Sequence, residues 1–261
     1  MLPSTPPGLT SPVQARALYR SGLAARTAGW ALGHAQAHLV ALPSAWAPDM
    51  SLFCARNSGS CPVLDICDAG AWTTRLAAEA DLRTDLPRYR VWEDGQIVAE
   101  PREVRDHWHG GLVTFLLGRD RSLDTQLASA GVPLRHMEQE RPLPLYVTNR
   151  SSCPAGRLNG PLVVAMRPIP AALVATARAV SRAGTGARLG QGAPVHAGDP
   201  GALGIRALSR PDFGGRVRPA PGDVPVFWAS SLTVQAALMS ARPPFALTHA
   251  PGHMLITDLP R

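Results

Sequence analysis

PLVVAMRPIPAALVATARAVSRAG, residues 161–184, sets two hydrophobic periods back to back, and the switch between them decides the fold class. PLVVAMRP is a short apolar run rich in β-branched residues, which predicts a buried strand. IPAALVATARAVSRAG spaces its apolar residues as an amphipathic helix does, with Pro170 placed near a first turn. A strand running straight into a helix is the signature of an α/β protein.

The same alternation extends upstream. GLVTFLLG predicts a buried strand, SLDTQLASAG a helix closed by Gly131, and PLPLYVTN another strand. Residues 111–190 therefore read as a compact αβ unit of their own. Nearer the N-terminus, residues 11–42 carry a helical rhythm with Pro12 suited to a first turn, and predict a short helix, a glycine-broken turn and a second helix. ALPSAWAPDMSLFCARN is broken by prolines, CPVLDIC predicts a short buried strand, and RYRVWEDGQIVAE predicts a hairpin turning at Asp94-Gly95. No internal repeat is present.

Composition narrows the chemistry. A chain of 261 residues can bury a sizeable core, and its 24 glycines and 26 prolines are spread among apolar segments, which implies abundant loops. All 26 basic residues are arginine. The absence of lysine excludes a Schiff-base lysine, the lysine of an ATP-binding glycine-rich loop and a lysine general base. The net charge of +7 is carried by dispersed arginines interleaved with acids, a pattern that suits anionic small molecules and not nucleic acid. Cys54, Cys61, Cys67 and Cys153 show no C-x-x-C spacing, so no zinc knuckle or dithiol motif is indicated. The N-terminus has no signal-peptide pattern and no apolar run is long enough to span a bilayer, so a cytoplasmic protein with no membrane partner is expected.

Histidines and acids cluster in three loops: VRDHWHG (Asp106, His107, His109), PVHAGDP (His196, Asp199) and THAPGHMLITD (His249, His253). In the last, the four-residue spacing fits a zinc-binding helix, but Pro251 and Gly252 favour a turn leading into a strand. His249 is expected to face a ligand at a cleft rim and His253 to make structural hydrogen bonds. Two arginine loops, CARNSGSCP (Arg56, Asn57) and RTDLPRYR (Arg83, Asp85, Arg88, Tyr89), could grip a carboxylate through a planar guanidinium, or pair internally, as Arg88 could with Asp85. GTGARLGQG, residues 184–192, departs from the dinucleotide-binding pattern and reads as a loop.

Nearly the whole chain resembles the D-glutamate cyclase family. The stretches that carry the resemblance are FCARNSGSCPVLD, DLRTDLPRYRVWEDG, AGVPLRHMEQE, YVTN, PAGRLNGPLVVAMRP, GAPVHAGDPGALGI, PDFGG, DVPVFWA and THAPGHMLITD, all in one order. It implies a two-part αβ fold, a larger layered domain (1–110 and 191–261) with a smaller one (111–190) inserted in the middle of the chain, and condensation of D-glutamate to 5-oxo-D-proline with loss of water. Several polar positions depart from the family pattern. His38 stands for an asparagine, Arg119 for a cysteine, Asp124 for a glutamate, Gln191 for a histidine, and Ser230-Ser231 for Cys-Gly.

Ring closure needs a neutral amine, a protonated leaving oxygen and a stabilised oxyanion. His196 and His249 are the candidate acid and base, with Asp199 orienting a histidine. Arg56, Asn57, Arg88, Tyr89, Asn149 and Arg167 are the candidate substrate-binding residues. The expected partner is a small carboxylated amine or amino acid, with no cofactor and no metal. Two other readings stay open: a metal-dependent lyase or hydrolase using His196, Asp199, His249 and His253, and a non-catalytic descendant that binds a small molecule.

Overall fold

Residues 34–43, HAQAHLVALP, form the strand around which the first sheet is assembled. The computed structural model describes residues 7–118, 122–183 and 192–260. In chain order the elements are α1 (Pro12–Arg20), β1 (His34–Pro43), α2 (Ala47–Arg56), β2 (Val63–Cys67), β3 (Tyr89–Glu93), β4 (Gln96–Ala99) and β5 (Leu112–Gly118). There follow α3 (Ser122–Ser129), α4 (Arg135–Glu138), β6 (Leu145–Ser151), β7 (Pro161–Pro170), α5 (Val174–Ala183), β8 (His196–Ala197) and β9 (Asp223–Ala229). The chain ends in α6 (Leu232–Ala241), β10 (Ala246–His249) and β11 (Leu255–Pro260).

The protein is a mixed α/β fold with two antiparallel sheets. One sheet runs β2-β5-β1-β10-β3-β4, with β11 also paired to β1; the other runs β6-β7-β9-β8. Two compact units result, one drawn from 1–52, 63–119 and 238–261, the other from 53–62 and 120–237. The sequence reading placed the second boundary at 190. Pairing of β9 with β7 over seven residues carries the second unit on to 237.

Local signals were strong where the structure follows them. Ser11 accepts from the Gln14 amide while the Gln14 side chain accepts from Ser11, a reciprocal cap that starts α1 at Pro12. Asp94 and Gly95 both lie at positive φ and turn the β3–β4 hairpin. Three expectations are corrected. The second helix within 11–42 is instead β1, because a nearly continuous apolar run has no period to separate helix from strand, and β1 is buried along eight of its ten residues. The proline-broken segment after residue 43 contains α2, whose Pro48 sits in the first turn, where its missing amide costs nothing. Strand β7 runs to Pro170 and α5 begins only at Val174.

In the first unit, Leu39, Ala41, Leu82, Leu86, Val91 and Leu247 are fully buried in one cluster. In the second, the two faces of β7 and β9 are served by different partners. Ile169, Val226 and Trp228 pack against Leu123, Leu127 and Ala177 of α3 and α5. Val164, Met166 and Phe227, on the alternate register, pack against Leu203 and Ile205. Each such large apolar side chain contributes roughly 1.5–3 kcal/mol on burial. No described helix is long and apolar enough to cross a membrane.

Candidate functional site

Strand β8 is two residues long, yet it fixes His196. Its pairing with Phe227 of β9 lays the imidazole on the Phe227 ring, centroids 5.9 Å apart at 30°. His196 Nε2 lies 2.8 Å from the backbone carbonyl oxygen of Asp199. A carbonyl can only accept, so Nε2 carries the proton and the neutral ring keeps its lone pair on Nδ1. Asp199 thus holds His196, but not as expected. Its carboxylate is turned to the Gly201 amide, 3.0 Å away, where it caps the short 3-10 turn Pro200–Leu203.

Other expected residues converge on the same part of the second unit. Asn149, at the end of β6, is exposed and packs beside Gly204, where a Cβ would meet the Asn149 Cβ at 3.0 Å. Next to it Arg150 reaches the Val195 carbonyl, one residue before His196, at 3.4 Å. Both residues line a hollow of about 390 Å³ together with Thr148, Pro154, Asn159 and Gly160. Its Cys153–Pro154 rim is braced from α2 and the loop after it. Arg56 donates to the Pro154 carbonyl at 2.5 Å, while Asn57 donates to the Cys153 carbonyl at 2.8 Å and accepts from the Cys153 amide at 2.9 Å. Arg56 and Asn57 therefore shape the hollow by holding its backbone. Arg150 was missed by sequence reasoning because it follows YVTN as the tail of a strand.

Arg167 is placed differently. It points from β7 toward α3 with 2 % of its side chain exposed, donates from Nε to Asp124 Oδ1 at 2.7 Å, and stacks its guanidinium over Trp228 at 5.2 Å. His136, which the sequence reading did not single out although it lies in AGVPLRHMEQE, approaches Asp124 Oδ2 at 3.4 Å. Burial pushes the Asp124 carboxyl up, but Arg167 and His136 outweigh it and hold the group well below the usual carboxylate range. The Asp124 carboxylate is thus committed to Arg167 within the second unit.

In the first unit, His249 does not stand at a rim. It lies on β10 between β1 and β3, 2 % exposed, with Nε2 2.8 Å from His38 Nδ1 and the rings 4.6 Å apart. One hydrogen bond joins the two rings, so one proton lies between those nitrogens. His253 follows the turn and donates from Nδ1 to the Pro251 carbonyl at 3.1 Å. Tyr89 is wholly buried, donating to the Leu82 carbonyl at 2.9 Å and accepting from the Leu86 amide at 3.1 Å. Its hydroxyl is thus engaged within the protein and not turned to a ligand. Tyr89→Phe should cost about 1–3 kcal/mol by leaving buried backbone groups unpaired, with an unchanged KM; thermal melts and kinetics check both halves.

Of the departures from the family pattern, Ser230 accepts from the Leu232 amide at 3.3 Å at the start of α6, and Ser231 immediately precedes that helix. Arg119 and Gln191 lie outside the described residues, as does most of the 184–192 loop. Among the described residues, no three or more of His, Cys, Asp and Glu gather as a metal-binding group.

Comparison with known proteins matches residues 113–258 to the model of a family described as D-glutamate cyclase. A protein of Streptomyces coelicolor carrying the description "putative hydro-lyase" is 58 % identical over 95 % of this chain and 88 % of its own length. One of Rhodococcus opacus with the same description is 52 % identical over 96 % of this chain and 94 % of its own. A third, from Pseudomonas syringae pv. tomato, is 51 % identical over 95 % and 92 %.

Proposed function

The chain belongs to the D-glutamate cyclase family, and from that premise we propose that it is a hydro-lyase-type enzyme that closes a carboxylated amino acid, D-glutamate or a near relative, to a lactam with loss of water. The hydrogen bond from His196 Nε2 to the Asp199 carbonyl carries this reading, because it leaves a basic nitrogen of fixed tautomer on the residue after Val195, whose carbonyl is reached by Arg150 from a hollow that Arg150 and Asn149 line.

In the proposed reaction His196 Nδ1 takes a proton from the substrate ammonium. The freed amine attacks the side-chain carboxyl carbon, a C–N bond forms, and the tetrahedral intermediate loses one carboxyl oxygen. His196 returns its proton to that oxygen, and the second proton lost by nitrogen completes the departing water. Arg150 is the assigned partner of the substrate carboxylate, since a guanidinium at the edge of the hollow can hold it in two parallel hydrogen bonds. Asn149 is assigned to orient the amine. Contact between amine and carboxyl then supplies much of the acceleration.

Purified protein incubated with D- and L-glutamate, and followed by mass spectrometry and a primary-amine assay, tests this. Ring closure removes one water and the primary amine together. Loss of water with the amine retained would instead mean an elimination, and no turnover of either enantiomer would overturn the choice of substrate.

A further inference from the structure

We propose that Arg26, Arg88 and His253 form a binding site for a small oxyanion, a carboxylate or a phosphate, built on the turn between β10 and β11. The site does not depend on which reaction the chain performs.

The turn is clamped from both sides by backbone. Ala250 donates to the Arg88 carbonyl at 2.9 Å, and Thr27 donates its amide to the Gly252 carbonyl at 2.9 Å. The Thr27 hydroxyl also reaches the Gly252 carbonyl, at 3.2 Å, and accepts from the Met254 amide at 3.3 Å. These bonds bring Arg88 and the neighbour of Thr27, Arg26, to the same four-residue turn. Gly252 sits at φ +86°, and the Arg26 stem lies 3.5–3.6 Å from where a Cβ would be. With no side chain there, the aliphatic part of Arg26 rests directly on the turn.

His253 completes the group. Its Nδ1–H is committed to the Pro251 carbonyl, which leaves Nε2 as the titrating nitrogen. Burial is the main cause that depresses its proton affinity; the Pro251 backbone bond opposes it, the charges of Arg26 and Arg88 add to the depression, and the Ala250 backbone bond opposes it least. Both charged neighbours bearing on the ring are cations.

The acids that could neutralise them are engaged elsewhere. Asp85, the expected partner of Arg88, is held by Arg20 through two bonds of 2.7 and 2.6 Å. Asp81 is paired with Arg83 at 2.8 Å and Glu100 with Arg90 at 2.7 Å. Neither Arg26 nor Arg88 makes a side-chain hydrogen bond or ion pair to a described residue. An imidazole on the turn, the Arg26 stem resting on it, and Arg88 tied to it by its backbone and bearing on the ring by its charge, all without a described counter-charge, supply the donors a small oxyanion needs.

The His253 ring serves as its own reporter. Its titration is followed by NMR in the full chain with inorganic phosphate or with glutarate, each against sodium chloride at matched ionic strength, since salt alone also weakens the arginine field. An anion bound beside the ring favours the protonated form, so its midpoint should rise by about one unit or more in a saturable way. Arg26→Gln and Arg88→Gln should each remove the saturable part. The probe saturating at lower concentration identifies the ligand as phosphate-bearing or carboxylate-bearing. A shift equal to that of chloride, or one that persists in both variants, overturns the proposal. If Arg88→Gln fails to fold, Arg26→Gln decides alone, because its side chain is exposed.

Discussion

His196→Asn turns over substrate at least about 100-fold more slowly than the wild type, the usual scale for a positioned acid or base, while its melting temperature barely moves. Asparagine occupies similar space and can still donate an amide hydrogen to the Asp199 carbonyl, so the loop after β8 keeps its anchor. What it lacks is a lone pair that can take up and return a proton near neutral pH. The pH–rate profile separates this loss from a merely structural one. The wild type should show a loss of activity on the acid side, and the residual activity of the variant should lack that limb. A variant that keeps more than a tenth of wild-type turnover, with the acid limb intact, would remove His196 from the mechanism. Asp199→Asn makes a useful contrast, because the histidine is held by the Asp199 backbone and not by its carboxylate. Only a small kinetic effect is expected there, with the 3-10 turn cap kept, because the asparagine side-chain oxygen can accept from the Gly201 amide as the carboxylate does.

Arg167→Met should be the most destabilising single substitution in the second unit, at about 3–5 kcal/mol, the cost of stranding one partner of a buried ion pair. The side chain is 2 % exposed and Asp124 21 %, so removing the guanidinium leaves a poorly solvated carboxylate with only His136 beside it. Since whole domains are stable by only about 5–15 kcal/mol, the loss would show as a large fall in melting temperature. The double variant Asp124→Leu/Arg167→Met should recover most of it, because the cost lies in the stranded charge more than in the pair. The acid dependence has a definite sign. The folded Asp124 carboxyl is held below its unfolded value, so the pair's contribution is fully present above the unfolded value of about 3.9 and fades as the pH falls toward the folded one. Urea melts between pH 7 and pH 3 should show the wild-type advantage over the double variant shrinking on the acid side. A single variant as stable as the wild type would show that Arg167 is not bound to Asp124 in solution.

Much of this protein was legible from short windows of sequence, wherever the determinant is local. The Ser11 cap, the Asp94-Gly95 hairpin and the abrupt change of period near residue 170 each depend on residues within one turn of one another, whose backbone preferences hold whatever the rest of the chain does. The same holds for the exclusion of lysine chemistry, which follows from composition alone. The family, too, is legible in motifs that follow one another in a fixed order along the sequence.

Tertiary structure alone decided what depends on pairing between distant segments. AHLVAL could be helix or strand until β5 on one edge and β10 and β11 on the other supplied its hydrogen bonds. His249 reads as a ligand-facing residue until β1 brings His38, 211 positions away, to 2.8 Å from it. Arg88 and Asp85 look like a pair until Arg20 arrives from α1 and takes the carboxylate. His196 and Asp199 are evidently neighbours in sequence, but the nitrogen left basic depends on whether the ring meets the side-chain or the main-chain oxygen. That choice is set by where β9 holds the ring, and hydrogen-bond geometry of this kind has no counterpart in residue spacing.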